Sequence, residues 1–137
     1  MPEITVSTVV NASVARAWEV FTQPEHITQW NFAAPEWCCP TVRNDLRIGG
    51  EFSSRMEARD GSVGFDLTGV YTSVSPLEQF THVLGDERRV TASFEAISSE
   101  QTRVTQVFDP ETLNPEELQR GGWQAILGNY KQHVETQ

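Results

Sequence analysis

Between residues 46 and 108 the chain offers only strand signals, joined by connections too short for a parallel crossover. A parallel pair needs a dozen or more connecting residues, so this segment is confined to an antiparallel meander. Its best-marked turn is Asp60-Gly61. Taken as a two-residue turn, it sets Met56 opposite Phe65, Ser54 opposite Leu67 and Phe52 opposite Gly69 on one mainly apolar face. Arg55 then faces Asp66 and Ser53 faces Thr68 on the polar face. A register that separates apolar from polar and pairs opposite charges is internally consistent. Gly49-Gly50 breaks the chain ahead of EFSSRMEA, and Ser75-Pro76 turns it after VYTSV. Gln79–Leu84 and Arg89–Ala96 form a further hairpin around Gly85-Asp86-Glu87, and Thr102–Phe108 is the last strand.

The flanks supply one more strand and the helices. Residues 3–10, EITVSTVV, are rich in β-branched side chains and read as a strand. Ser13 follows as an N-cap, and Val14, Ala17, Trp18 and Phe21 make one apolar helical face. Pro24 opens a second short helix running to Trp30. At the far end Asn114 reads as an N-cap, with Pro115 at the first helical position and Glu116 and Glu117 against the helix dipole. From there to residue 135, Trp123, Ile126, Leu127, Tyr130 and Val134 share a broad face, while Glu117, Gln124 and Lys131 fall opposite. Gly121-Gly122 lies inside this helix at a cost of about 1 kcal/mol each against alanine. Close approach of a neighbour, or room for something bound, is the expected compensation.

The fold class is α+β: one curved antiparallel sheet whose apolar face needs a cover. The C-terminal helix is the element long enough to provide it. A sheet wrapped around one helix leaves space between them, and concave apolar spaces are the usual ligand sites. The 137 residues correspond to a single domain spanning 1–137.

Residues 30–40, WNFAAPEWCCP, carry more aromatic surface than a polar loop should. A lid over an apolar cavity, completion of the core, and a partner-binding patch all remain open. Cys38 and Cys39 are the only cysteines, and adjacent cysteines seldom bond to each other. With His26, His82 and His133 showing no metal-type spacing, the thiols read as reduced and partly buried, and neither metal nor cofactor is expected. A net charge of −9 disfavours nucleic acid as a partner. Lys131, the one lysine, is placed on the outer face of its helix, which argues against Schiff-base chemistry. No run is long and apolar enough for a membrane span. The N-terminal segment lacks the marks of a secretion signal, giving the expectation of a cytoplasmic protein. No phosphate loop, nucleophile elbow or zinc-protease motif occurs.

Four stretches together, VNASVARAWEVFTQPEHITQW, DLRIGGEF, MEARDGSVGFDLTGVYTSVSP and FDPETLNPEELQRGGWQAILGNYKQHVE, resemble the SRPBCC superfamily of START-like and birch-pollen-allergen-like proteins. Within it they are most similar to the branch of the C-terminal domain of the activator of heat shock protein 90 ATPase. The resemblance implies a helix-grip fold with a deep hydrophobic cavity for lipids, polyketides or other apolar molecules. It places the segment after the second helix at the cavity mouth, with Trp30, Phe32 and Trp37 capping it. The residues expected to line the cavity are Trp30, Trp37, Phe52, Ser54, Met56, Phe65, Leu67, His82, Phe94, Trp123, Leu127 and Tyr130. Ser54, Gln106 and Tyr71 are the candidates for orienting a ligand, and Arg55–Asp66 reads as a surface pair. Asp45 and Arg47, ahead of Gly49-Gly50, read as a turn device. His82 is the histidine placed to enter the cavity as acid or base, against the alternative of a histidine hydrogen-bonded at the sheet surface. His26 is placed beside the aromatic loop and His133 in solvent.

The first expectation is therefore a non-catalytic binder of a small hydrophobic molecule. Its rivals are an enzyme of the cyclase, dehydratase or hydrolase type, and a stress-related co-chaperone module. The separate N-terminal domain of the chaperone activator has no counterpart in this sequence, which weakens a chaperone partner. A homodimer is compatible with the sequence but not specified by it.

Overall fold

The computed structural model describes residues 3–136. Strand β1 (Ile4–Val10) leads into helices α1 (Val14–Thr22) and α2 (Pro24–Ile27). Six strands follow: β2 (Trp37–Asn44), β3 (Glu51–Ala58), β4 (Gly64–Ser75), β5 (Gln79–Leu84), β6 (Arg89–Ser98) and β7 (Gln101–Phe108). Helix α3 (Glu116–Glu135) ends the chain. All seven strands form one antiparallel sheet in the order β1-β7-β6-β5-β4-β3-β2. The meander thus runs in sequence order, and β1 joins its far side by pairing with β7. This is the helix-grip arrangement.

The β3–β4 register is the expected one, from Phe52 opposite Gly69 to Met56 opposite Phe65. The turn that produces it differs. Gly61 has φ +78 but Asp60 does not, so the type I′ turn is ruled out, since it needs positive φ at both central residues. Instead the Gly61 N–H donates to the Ala58 carbonyl at 2.9 Å, and the Asp60 carboxylate accepts from the Ser62 N–H at 2.9 Å. The longer loop is centred on the same two residues, so the register survives.

Strand β2 is unanticipated, because residues 37–40 read as loop. Pro40 and a register shift between Cys38 and Thr41 break its alternation. As an edge strand it tolerates a residue with no N–H to donate. Helix α2 stops at Ile27 rather than Trp30. Helix α3 starts one residue late: Pro115, extended at ψ 148, is the N-cap, and no side chain caps it. The Asn114 side chain is not used as the cap. The Gln119 amide holds this loop instead, donating to the carbonyls of Glu111 (3.0 Å) and Asn114 (2.8 Å).

The cover over the sheet is shared, not supplied by α3 alone. Ser13 caps α1 as expected, its Oγ accepting from the Arg16 N–H at 3.2 Å. Helix α1 lays Trp18 and Phe21 edge-on against Phe94, at ring separations of 5.1 and 5.3 Å. Helix α3 docks Tyr130 beneath it, with the phenol donating to the Ala17 carbonyl at 2.7 Å. Lys131 is not on a free outer face. Its ammonium donates to the Val9 carbonyl at 2.8 Å, and one heptad earlier the Gln124 amide donates to the Ser7 carbonyl at 3.1 Å. Together they occupy carbonyls on the free edge of β1, the kind of edge that otherwise invites pairing with another chain. His133 is likewise engaged, with Nε2 lying 3.2 Å from Nδ1 of His26 across the α2–α3 contact.

Candidate functional site

Helix α1 covers the sheet over β6 and β7, α2 leans on β2, and α3 lies along β1. The concave face of β3, β4 and β5 between them is left partly uncovered. A cavity of about 330 Å³ opens there, at the lower end of the size range of small-molecule sites. Its sheet wall includes Phe52, Met56, Leu67 and His82, and Trp123 and Ile126 of α3 close the opposite side.

The wall depends on a close approach at Gly69. A Cβ there would lie 2.4 Å from Cε1 of Phe52 and 2.8 Å from the Val83 carbonyl oxygen. With no side chain on Gly69, the Phe52 ring leans across β4 and meets the His82 imidazole at a centroid separation of 4.3 Å. Tyr71 and Phe80 complete an aromatic surround, at 5.7 and 5.6 Å from the imidazole. Burial in this surround lowers the pKa of His82 from its ordinary value to about 4, so the ring is neutral at neutral pH. Its Nδ1 is buried and has no hydrogen-bond partner among the described residues. His82 thus faces the cavity, and it is not hydrogen-bonded at the sheet surface.

Eight of the twelve side chains expected at the cavity line it: Trp30, Phe52, Ser54, Met56, Phe65, Leu67, His82 and Trp123. Trp30 is a wall and not a lid. It is 4% exposed, donates its indole N–H to the Val20 carbonyl at 3.1 Å, and packs on Phe21 and Tyr130. Trp123 stacks face to face on Phe108 at 3.8 Å. The other four stand apart from the cavity. Phe94, Leu127 and Tyr130 are buried in the core, Phe94 and Tyr130 against Phe21 of α1. Trp37 opens β2 and meets the half-exposed Phe65 edge-on at 6.1 Å. Phe32 also stands apart, beneath the Arg59 guanidinium at 5.4 Å.

Of the polar candidates, Tyr71 is spoken for. Its hydroxyl donates to Oδ1 of Asn44, whose amide donates in turn to the Thr22 carbonyl at 2.7 Å. This chain ties β4, β2 and α1 together beside the cavity, and burial pushes the Tyr71 phenol up. Ser54 and Gln106 both line the space. Cys39 lies nearby, its thiol raised by burial and within 3.7 Å of the Asn31 amide. The Arg55–Asp66 contact, at 3.5 Å, is on the outer face, and Arg55 also holds Glu57 at 2.8 Å. Asp45 accepts both of its 2.9 Å hydrogen bonds from Nε of Arg47 next to the Gly49-Gly50 turn.

The lining residues that sequence reasoning missed include Phe21, Asn44, Phe80, Leu84, Arg88 and Val90. Phe80 and Leu84 share the strand face of His82, and that alternation was the available signal. Arg88 lies in a turn and carried none.

No helix among the described residues is long and apolar enough to cross a membrane. The sequence profile of the family described as Activator of Hsp90 ATPase homolog 1-like protein matches residues 11–135. The solution structure of an AHSA1-like protein from Aeromonas hydrophila is similar at 35% identity and a TM-score of 0.91, covering 98% of this chain and 92% of that one. A protein from Cytophaga hutchinsonii is 41% identical with a TM-score of 0.84, at the same coverage of both chains. A crystal structure from Chromobacterium violaceum shares the fold at 21% identity and a TM-score of 0.86, covering 98% of this chain and 99% of that one. Among curated proteins none matches.

Proposed function

We propose that this chain, which belongs to the family of Activator of Hsp90 ATPase homolog 1-like proteins, holds one small hydrophobic molecule in the space between its sheet and α3 and does no chemistry on it. The observation that carries this reading is the wall itself. Phe52, Met56, Leu67, Trp123 and Ile126 belong to a mainly apolar lining, in which Asn31, Asn44, Ser54, His82, Arg88 and Gln106 are the polar side chains beside the Tyr71 phenol. Such a site desolvates a ligand and leaves selectivity to a handful of hydrogen bonds. His82 supports binding over turnover. A histidine with a pKa of about 4 and an unpartnered Nδ1 is a weak and unoriented general base.

The test is a native mass spectrum of the gently purified protein beside its denatured mass, followed by titration with the neutral dye Nile red. A non-covalent mass lost on denaturation, or saturable dye binding that Trp123→Ala weakens, supports the reading. A bare mass together with no dye binding refutes it.

A further inference from the structure

We infer that the cavity selects apolar molecules carrying an acidic head group, and that Arg88 is the residue that selects them. This deepens the binding reading above and rests on it. Among the described residues lining the cavity Arg88 is the only charged one, and no carboxylate lines it. The protein as a whole carries nine excess negative charges, so a lone cation at an apolar cavity is not a by-product of composition.

Its position follows from the register. His82 pairs with Val90 on the inward face of the β5–β6 hairpin. The next inward rung is Leu84, whose N–H donates to the Arg88 carbonyl at 2.8 Å. Arg88 therefore stands two residues beyond Val90, about 7 Å along the strand direction. That is where the apolar wall gives way to the turn at 85–87. Its side chain is 23% exposed. On the solvent side Nε donates to the exposed Asp86 carboxylate at 2.7 Å. The two terminal nitrogens have no hydrogen-bond partner among the described residues, and they offer the planar fork that matches a carboxylate. A tail laid along Val90, Leu84 and Trp123 would bring its head group to this fork. A neutral head gains less there, and a cationic head is repelled. The Asp86 carboxylate on Nε offsets part of the guanidinium charge, charges beyond about 8–10 Å are screened, and the preference for an acidic head rests on the free donor fork of the terminal nitrogens.

The test compares decanoate, decan-1-ol and decylammonium at pH 7.5 by calorimetry and by amide chemical-shift titration. Wild type should bind decanoate about tenfold or more tighter than decanol, in the range of charge-assisted hydrogen bonds, and decylammonium least well. Arg88→Gln should bring decanoate down to the decanol level and leave decanol within about twofold, while Arg88→Lys keeps part of the preference. The wild-type series stands without either variant, and its acid preference should shrink as salt rises. The inference is overturned if decanol matches decanoate in wild type, or if Arg88→Gln keeps the preference. Decanol and Nile red binding without any acid preference sinks the inference alone. No binding of any decyl compound or of Nile red removes the cavity reading as well.

Discussion

Alanine at Gly121 and Gly122 should make this protein more stable. Both glycines lie inside α3, in its second turn, where glycine costs about 0.8–1.0 kcal/mol against alanine. A helix normally keeps such residues because a side chain would strike something. Here a Cβ built at either position meets nothing within 4 Å. The full propensity gain should therefore be recovered, about 2 kcal/mol for the double variant, with some departure from additivity because the sites adjoin. For a chain of this size that corresponds to a rise in Tm of roughly 6–10 °C. Urea denaturation followed by circular dichroism should show a higher midpoint at unchanged m-value. An unchanged or lowered midpoint in either single variant would refute the argument. It would show that the glycine pair faces a partner or ligand, or serves a bend that α3 takes up in another state.

Gly69→Ala should behave oppositely, destabilising by about 1–3 kcal/mol as the new methyl group displaces the Phe52 ring, and weakening Nile red binding in parallel. His82 gives a pH signature. Its folded pKa of about 4 lies below the ordinary 6.5, so the unfolded chain binds the extra proton between these values. Its contribution is fully present above pH 6.5 and is lost as pH falls towards about 4, amounting to about 3 kcal/mol at most. The difference in stability between wild type and His82→Asn, measured across pH 4–7, should carry that slope; a flat difference would mean the imidazole is solvated. Tyr130→Phe removes the buried hydroxyl that donates to Ala17 and should cost about 0.5–1.5 kcal/mol in urea denaturation, with no loss of dye binding, since Tyr130 stands apart from the cavity. Gln124→Ala with Lys131→Ala should expose the β1 edge and raise light scattering on mild heating, which wild type should resist.

Much of the fold was legible because its strongest signals are local. The Asp60-Gly61 dipeptide set the β3–β4 register even though the loop around it is of another type, because both loops share one centre. What separates them is the sign of φ at Asp60, which sequence does not display. Strand β2 was hidden by Pro40 and the bulge, which interrupt the period-two pattern that marks a strand. The site was legible on β3 and β4, where alternation names the inward residues. It was less so at Phe94 and Tyr130, which pack against Phe21 of α1, and at Leu127, which is buried in the core away from the cavity. Which helix covers which strip of sheet is a tertiary choice, and no spacing within one element encodes it. Arg88 was invisible for the same reason: only the fold brings that turn to the cavity.

The pairing of β1 with β7 has a consequence for how the chain reaches this state. Val6 meets Gln106 a hundred residues later, and Gln124 and Lys131 reach the same strand from further still. Closing a loop of that length costs about 4 kcal/mol of chain entropy before the contact repays it. Strands β3 to β7, by contrast, add one neighbour at a time across short turns. The meander is therefore expected to assemble first and β1 to dock late. On the ribosome the first strand waits unpaired, exposing Val6 and Val10, until nearly the whole sequence has been made.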